Sequence, residues 1–160
     1  MLEPVKDGRG QVGDLPVKAS AYIPHCREMC VIDDLVEVCD RSAQAEVTVR
    51  GDSPFVRLDG SVEECLFVEM IAQTIAAASG FELPTAERKT LEGYLLGVRA
   101  LKISWAARVG DVLRIKAYKS AEFGDFSVIE GSVSRGSQVL AQGEIKVFQR
   151  SIKETGTRHA

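Results

Sequence analysis

Two polar side chains interrupt the apolar run at the middle of this chain. They are Glu69 and Gln73, within SVEECLFVEMIAQTIAAASG at residues 61–80. Four residues apart, they stand one above the other on a single helix face, and Cys65 extends that stripe by one turn. A carboxylate in an apolar setting is costly unless it is paired or put to use. Glu69 is therefore either a structural carboxylate bonded to a strand or an arginine, or a group for acid–base work. Gln73 either positions Glu69 or a substrate hydroxyl, or packs as a plain amide. The chain holds two histidines, His25 and His159. His25 either hydrogen-bonds a turn or brings an imidazole to the carboxylate. His159 lies in a polar tail and is not expected to act.

These groups need an element to carry them. Ser61 followed by Glu64 reads as a capping box, so a helix is predicted over 61–80, with Gly80 as its left-handed cap and Pro84 beyond. The helix is apolar on nearly every face and must be covered all round. The run reads as too short and too interrupted to cross a membrane. The cover is expected from strands. Ser42–Arg50 alternates Ala43, Ala45, Val47 and Val49 against polar neighbours, the pattern of a half-buried antiparallel strand. Cys30–Cys39 is a second strand, irregular at Asp33 and Asp34. Four more are predicted after the helix, as a meander: Glu92–Ser104, Val112–Ser120, Phe126–Ser134 and Gln138–Gln149. Gly97 marks a bulge or close approach, and turns fall at Gly110, Gly124 and Gly136. Pro16–Tyr22 is expected to be a short helix ended by Pro24. An antiparallel sheet curled around one helix satisfies both patterns and gives an α+β class. Such a sheet leaves an edge, so pairing with a second copy, a homodimer, is expected.

The totals fit one domain over 16–150, with a loose segment at 1–15 and a frayed tail at 151–160. Hydrophobic residues make up 45% and charged residues 27%, ordinary values for a globular chain. A net charge of -3 argues against nucleic acid as a main partner. The first residues lack the basic-then-apolar pattern of a secretory signal. A cytoplasmic protein without membrane association is expected. Cys26, Cys30, Cys39 and Cys65 show no paired zinc spacing and read as reduced, small hydrophobes. No metal and no cofactor is expected.

Several runs resemble one family. Tyr22-Ile23-Pro24-His25 with Met29-Cys30-Val31-Ile32-Asp33 resembles the opening motif of 3-hydroxyacyl-[acyl-carrier-protein] dehydratases. Phe67-Val68-Glu69-Met70-Ile71-Ala72-Gln73 resembles their helix motif. Tyr94-Leu95-Leu96-Gly97-Val98-Arg99 is similar to their following strand, and Val109-Gly110-Asp111 to a later turn. With Val147-Phe148-Gln149, the runs look most like the dehydratase-like proteins of aryl polyene gene clusters. The resemblance implies a hotdog fold and dehydration of a 3-hydroxyacyl thioester carried on acyl carrier protein or coenzyme A. It implies that Glu69 is catalytic and meets a histidine across a dimer interface, beside a tunnel for the acyl chain. The matching loop ahead of the helix, residues 52–57, has no histidine, so His25 is the candidate for the imidazole.

Dehydration needs a base near the α-carbon, an acid for the departing hydroxyl and donors on the thioester oxygen. The helix start near Glu64 and Cys65 could supply those donors. Gln73, Cys65, Arg57 and Gly97 are the candidate substrate-binding residues. Arg57 and Arg99 either serve Glu69 or a phosphopantetheine phosphate, or form surface ion pairs. A thiol nucleophile at Cys65 would need a base partner that the sequence does not name. Two other readings stay open: a hotdog thioesterase, whose helix carboxylate activates water, and a non-catalytic subunit that binds acyl carrier protein. The separation of His25 and Glu69 discriminates. Within about 6 Å it favours dehydration, whereas a remote, buried His25 favours the others.

Overall fold

The structure, a computed structural model, describes residues 14–25, 27–88 and 91–151. Cys26, His159 and most of the two expected loose ends lie outside these residues. The strands are β1 (Val17–Lys18), β2 (Asp34–Val38), β3 (Ser42–Thr48), β4 (Leu91–Ile103), β5 (Val112–Phe123), β6 (Phe126–Arg135) and β7 (Gln138–Ser151). The helices are α1 (Cys65–Glu82) and the short α2 (Thr85–Arg88). All seven strands form one antiparallel sheet in the order β1-β2-β3-β5-β6-β7-β4. The sheet carries α1 on its inner face, which is the hotdog fold.

The alternation of β3 is realised as read: Ala43, Ala45 and Val47 are buried against the core, while Gln44 and Glu46 lie between them on the other face. Leu113, Ile115, Ile129 and Ile145 repeat that inward pattern on the next strands and are at most 1% exposed. Phe67, Met70 and Ile71 of α1 fill the space above them. Contact there is close. A Cβ on Gly131 of β6 would come within 2.5 Å of the Ile71 side chain. Gly124 and Gly136 take positive φ in the β5–β6 and β6–β7 turns, as the tight hairpins require.

Several expectations are corrected. The last four strands do not form one meander. β5, β6 and β7 do, but β4 pairs with β7 and lies at the far edge of the sheet. The helix starts at Cys65, and no side chain caps it. The Ser61 hydroxyl instead donates to Asp59 at 2.6 Å, and Ser61 bridges Arg108 through its backbone. Gly80 is inside α1 rather than beyond it, and it packs directly on the main chain of Tyr22, with no room for a Cβ. Only the second half of Cys30–Cys39 is strand. Pro16–Tyr22 holds β1 and one 3-10 turn at Ala19–Ala21 instead of an α-helix. By length and hydropathy alone α1 does suffice to cross a membrane, contrary to the reading above. Its 61% burial inside the protein identifies it as the core helix of the fold. Of the described cysteines, Cys39 and Cys65 are exposed rather than buried hydrophobes, and Cys30 is half-buried against the core.

β4 is the irregular strand. Its register against β7 shifts at Leu95/Gly97 and again at Arg99/Lys102, where Ala100 takes a φ of 52°. Gly97 thus marks a bulge, as expected, but no atom of another residue comes close enough to exclude a Cβ there. The outer edge of β4 exposes Tyr94, Leu95, Leu96 and Val98.

Candidate active site

α1 is sealed on every side but one. Before its last two residues, Phe81 and Glu82, its incompletely buried positions are Cys65, Glu69, Ala72, Ala76 and Ser79, spaced four, three, four and three apart. That spacing is one helix face. Opposite it run β4 and β7, and between them and the helix lies a cavity of about 130 Å³. Glu69, Ala72, Gln73 and Ala76 form the helix wall, and Tyr94, Val147 and Phe148 line the strand wall. Small alanines at two of these helix positions leave the room that larger side chains would fill.

The third wall is the irregular segment between β1 and β2, which brings in Tyr22, Pro24 and His25. Here the separation that discriminates the readings is short. His25 Nε2 lies 3.2 Å from Glu69 Oε1, within one chain, and each side chain is 31% exposed. His25 is neither remote nor sealed in the core. Its Nδ1 is buried without a hydrogen-bond partner. Gln73, 1% exposed, donates from Nε2 to the same Glu69 Oε1 at 2.8 Å. It also donates to the Met29 carbonyl at 2.7 Å and accepts the Val31 N–H at 2.9 Å. Gln73 therefore does not pack as a plain amide, and among the described residues Glu69 pairs with no arginine. The half-buried Cys30 thiol lies between these anchors, donates to the Ile32 carbonyl and has its pKa raised chiefly by burial.

Not every candidate reaches the cavity. Arg57 pairs with Glu63 at 2.8 Å on the surface, and Arg99 reaches only Glu144 at 4.0 Å. Cys65 shares the open stripe of α1 but lies one turn outside the cavity lining, and Gly97 lies beyond it on β4. Glu64 and Cys65 do not line the cavity, and the Leu66 and Phe67 N–H groups are taken by the carbonyls of Glu63 and Glu64. The helix start thus offers no donors to a thioester oxygen there. Among the described residues no cluster of His, Cys, Asp and Glu could hold a metal ion.

Some lining residues had no role assigned from sequence although their runs were noted: Tyr22, Tyr94, Phe148 and Gln149. The Tyr94 hydroxyl donates to Glu92 at 2.8 Å, and that bond holds the phenol pKa above its ordinary value. Tyr94 and Phe148 lie side by side across β4 and β7, and Phe126 continues the row at 5.2 Å from Phe148. Ser79 donates to Gln149 at 3.0 Å at the end of the cavity away from Glu69.

With this geometry in hand, the chain can be compared with known proteins. A search of curated proteins finds no match. Among solved structures it is similar to the dehydratase heterocomplex ApeI:P from Xenorhabdus doucetiae, at 31% identity and a TM-score of 0.75, covering 84% of this chain and 92% of that one. A hypothetical thioesterase with coenzyme A from Streptococcus pneumoniae shares the fold at 12% identity and a TM-score of 0.58, covering 74% and 86%. An uncharacterised protein from Pyrococcus horikoshii does so at 18% and 0.60, covering 84% and 94%. The family described as ApeP-like, ApeP dehydratase, matches residues 17–157. The chain belongs to the ApeP-like dehydratase family.

Proposed function

We propose that this protein is a hydro-lyase that removes water from a 3-hydroxyacyl thioester in aryl polyene-type synthesis, with acyl carrier protein as the carrier. His25 and Glu69 are the catalytic pair. The observation that carries this reading is the 3.2 Å contact between His25 Nε2 and Glu69 Oε1 at the wall of a cavity with apolar lining. Elimination breaks a C–H bond at the α-carbon and a C–O bond at the β-carbon, so it needs a base and an acid within reach of adjacent atoms. One imidazole and one carboxyl in contact meet that need. His25 takes the α-proton as the Cα=Cβ bond forms. The proton on Glu69 leaves with the β-hydroxyl as water. A proton moving from His25 to Glu69 through solvent resets the pair. Ala72, Ala76 and Phe148 receive the acyl chain beyond the reacting carbons.

The free β4 edge is the second part of the proposal. Its exposed apolar residues and unpaired backbone suit another hotdog subunit, which would close the cavity mouth beside Tyr94 and Leu95. A second copy of this chain is the simplest occupant. The related Xenorhabdus complex is described as a heterocomplex, which makes a different hotdog chain the other outcome of a mass measurement in solution.

The test is mass spectrometry of 3-hydroxyacyl-carrier-protein incubated with the purified protein. A product lighter by one water is expected, and His25→Ala should silence its formation. Release of free acid would replace dehydration by thioester hydrolysis. An unchanged substrate, on carrier protein and on coenzyme A alike, would leave a binding subunit.

A further inference from the structure

His25 and Glu69 sit on elements of unequal stiffness. Glu69 is in the middle of the core helix, whereas His25 lies in an irregular segment between Tyr22 and the 3-10 turn at Arg27–Met29. Proton transfer needs their spacing held to a fraction of an ångström, so something must tie the segment to the helix. The side-chain amide of Gln73 does this at three points. Its Oε1 accepts the Val31 N–H, and its Nε2 donates to the Met29 carbonyl and to Glu69 Oε1. The orientation of the amide is not free. Only the oxygen can satisfy Val31 N–H, and only the nitrogen can satisfy the Met29 carbonyl. One N–H is thereby left aimed at Glu69.

A second consequence concerns the carboxyl itself. Both neighbours, Gln73 Nε2 at 2.8 Å and His25 Nε2 at 3.2 Å, lie against Oε1. Among the described residues, the carboxyl oxygen left without a hydrogen-bond partner is thus Oε2.

We infer that Gln73 is a positioning residue for the dehydration proposed above, on which this inference rests. It fixes the His25–Glu69 spacing and, by occupying Oε1, assigns the carboxyl's proton exchange with substrate to Glu69 Oε2. The other titratable groups at the cavity are Tyr22 on the same segment and Tyr94 on β4, while β7 contributes Val147, Phe148 and Gln149, none of which titrates.

The test is Gln73→Glu in the full-length protein. The new carboxylate keeps the shape and still accepts from Val31. When ionised it donates to neither Met29 nor Glu69, and two carboxylates this close take up a shared proton at a raised pH. The ratio of variant to wild-type kcat, per folded protein by thermal unfolding, should therefore be down by about tenfold or more near pH 8. It should recover toward pH 5.5, with KM within about twofold. A ratio flat across pH would mean that the amide only holds the fold together and would overturn the inference. A second readout does not depend on turnover. The His25 imidazole, followed by NMR, should titrate about half a pH unit or more above its wild-type midpoint in Gln73→Glu. Identical midpoints would sink the inference even if dehydration is observed. A displaced midpoint in a protein that dehydrates nothing would retain the coupling and discard the reaction.

Discussion

On α1, Met70, Ile71, Thr74, Ala77 and Ala78 face the sheet and are at most 8% exposed, whereas Glu69, Ala72 and Ala76 open onto the cavity. The two faces belong to the same helix and in places to adjacent residues. On the sealed face, side chains are large where the sheet is recessed and the sheet is thinned by glycine where they are large, as with Ile71 over Gly131. On the open face, side chains are small or polar and their partners come from irregular backbone, the Tyr22–Val31 segment and the bulged β4. The sealed face fixes where the helix axis lies. The open face uses that fixed axis to hold a carboxyl beside an imidazole.

The comparison can be broken most directly at Glu69 and Met70, neighbours on opposite faces. Glu69→Gln keeps the shape and removes the exchangeable proton. It is expected to lower kcat by about 10²–10⁴-fold while the unfolding midpoint barely moves. Met70→Ala empties a site that is 1% exposed. It should cost about 2–5 kcal/mol of stability with little change in turnover per folded molecule. Steady-state kinetics paired with urea unfolding checks both. Turnover retained in Glu69→Gln would remove the carboxyl from the mechanism. A stability loss there as large as in Met70→Ala would erase the distinction between the faces.

Sequence reading recovered the sealed face better than the open one, for a physical reason. Burial writes a periodic signal: Ala43, Ala45 and Val47 announce β3, and the unbroken apolar run announces α1. The glycines of the hairpins announce their turns because positive φ is demanded there. The position of β4 beside β7 leaves no such local mark, since edge pairing is decided by packing between segments far apart in the chain. The helix start was misread because Ser61 spends its hydroxyl on Asp59. That bond and the Ser61 N–H hold the Asp59 carboxyl below the usual carboxylate range, a local turn winning over a helix cap. Glu69 and Gln73 were legible as chemistry, because a polar group in an apolar run needs a reason, and His25 because it stands in the run that resembles the dehydratase opening motif. Their mutual geometry was not, because it depends on an irregular segment whose path no periodicity describes. Arg57, Cys65 and Gly97 illustrate the converse: residue types suited to a site, but Arg57 is on the surface and Cys65 and Gly97 lie on parts of α1 and β4 outside the cavity lining.

The finest test of the two faces uses one substitution at adjacent positions, Ala76 and Ala77. Ala77 is 0% exposed and sits between helix and sheet. Ala77→Leu forces an isobutyl group into filled space and should destabilise by about 1–3 kcal/mol. Its kinetic constants per folded molecule should stay near wild type. Ala76→Leu pushes the same group into the cavity instead, where open volume receives it. Its stability should change by less than about 0.5 kcal/mol, as at positions outside the packed core. The effect should appear in the substrate: KM rises for long acyl chains and stays unchanged for short ones, because only the long chains reach past Glu69 along the helix. Kinetics against a chain-length series, with thermal unfolding of each variant, decides it. A KM rise equal at all chain lengths would mean that Ala76 sits beside the reacting carbons rather than beyond them. That would reverse the direction in which the acyl chain runs along α1.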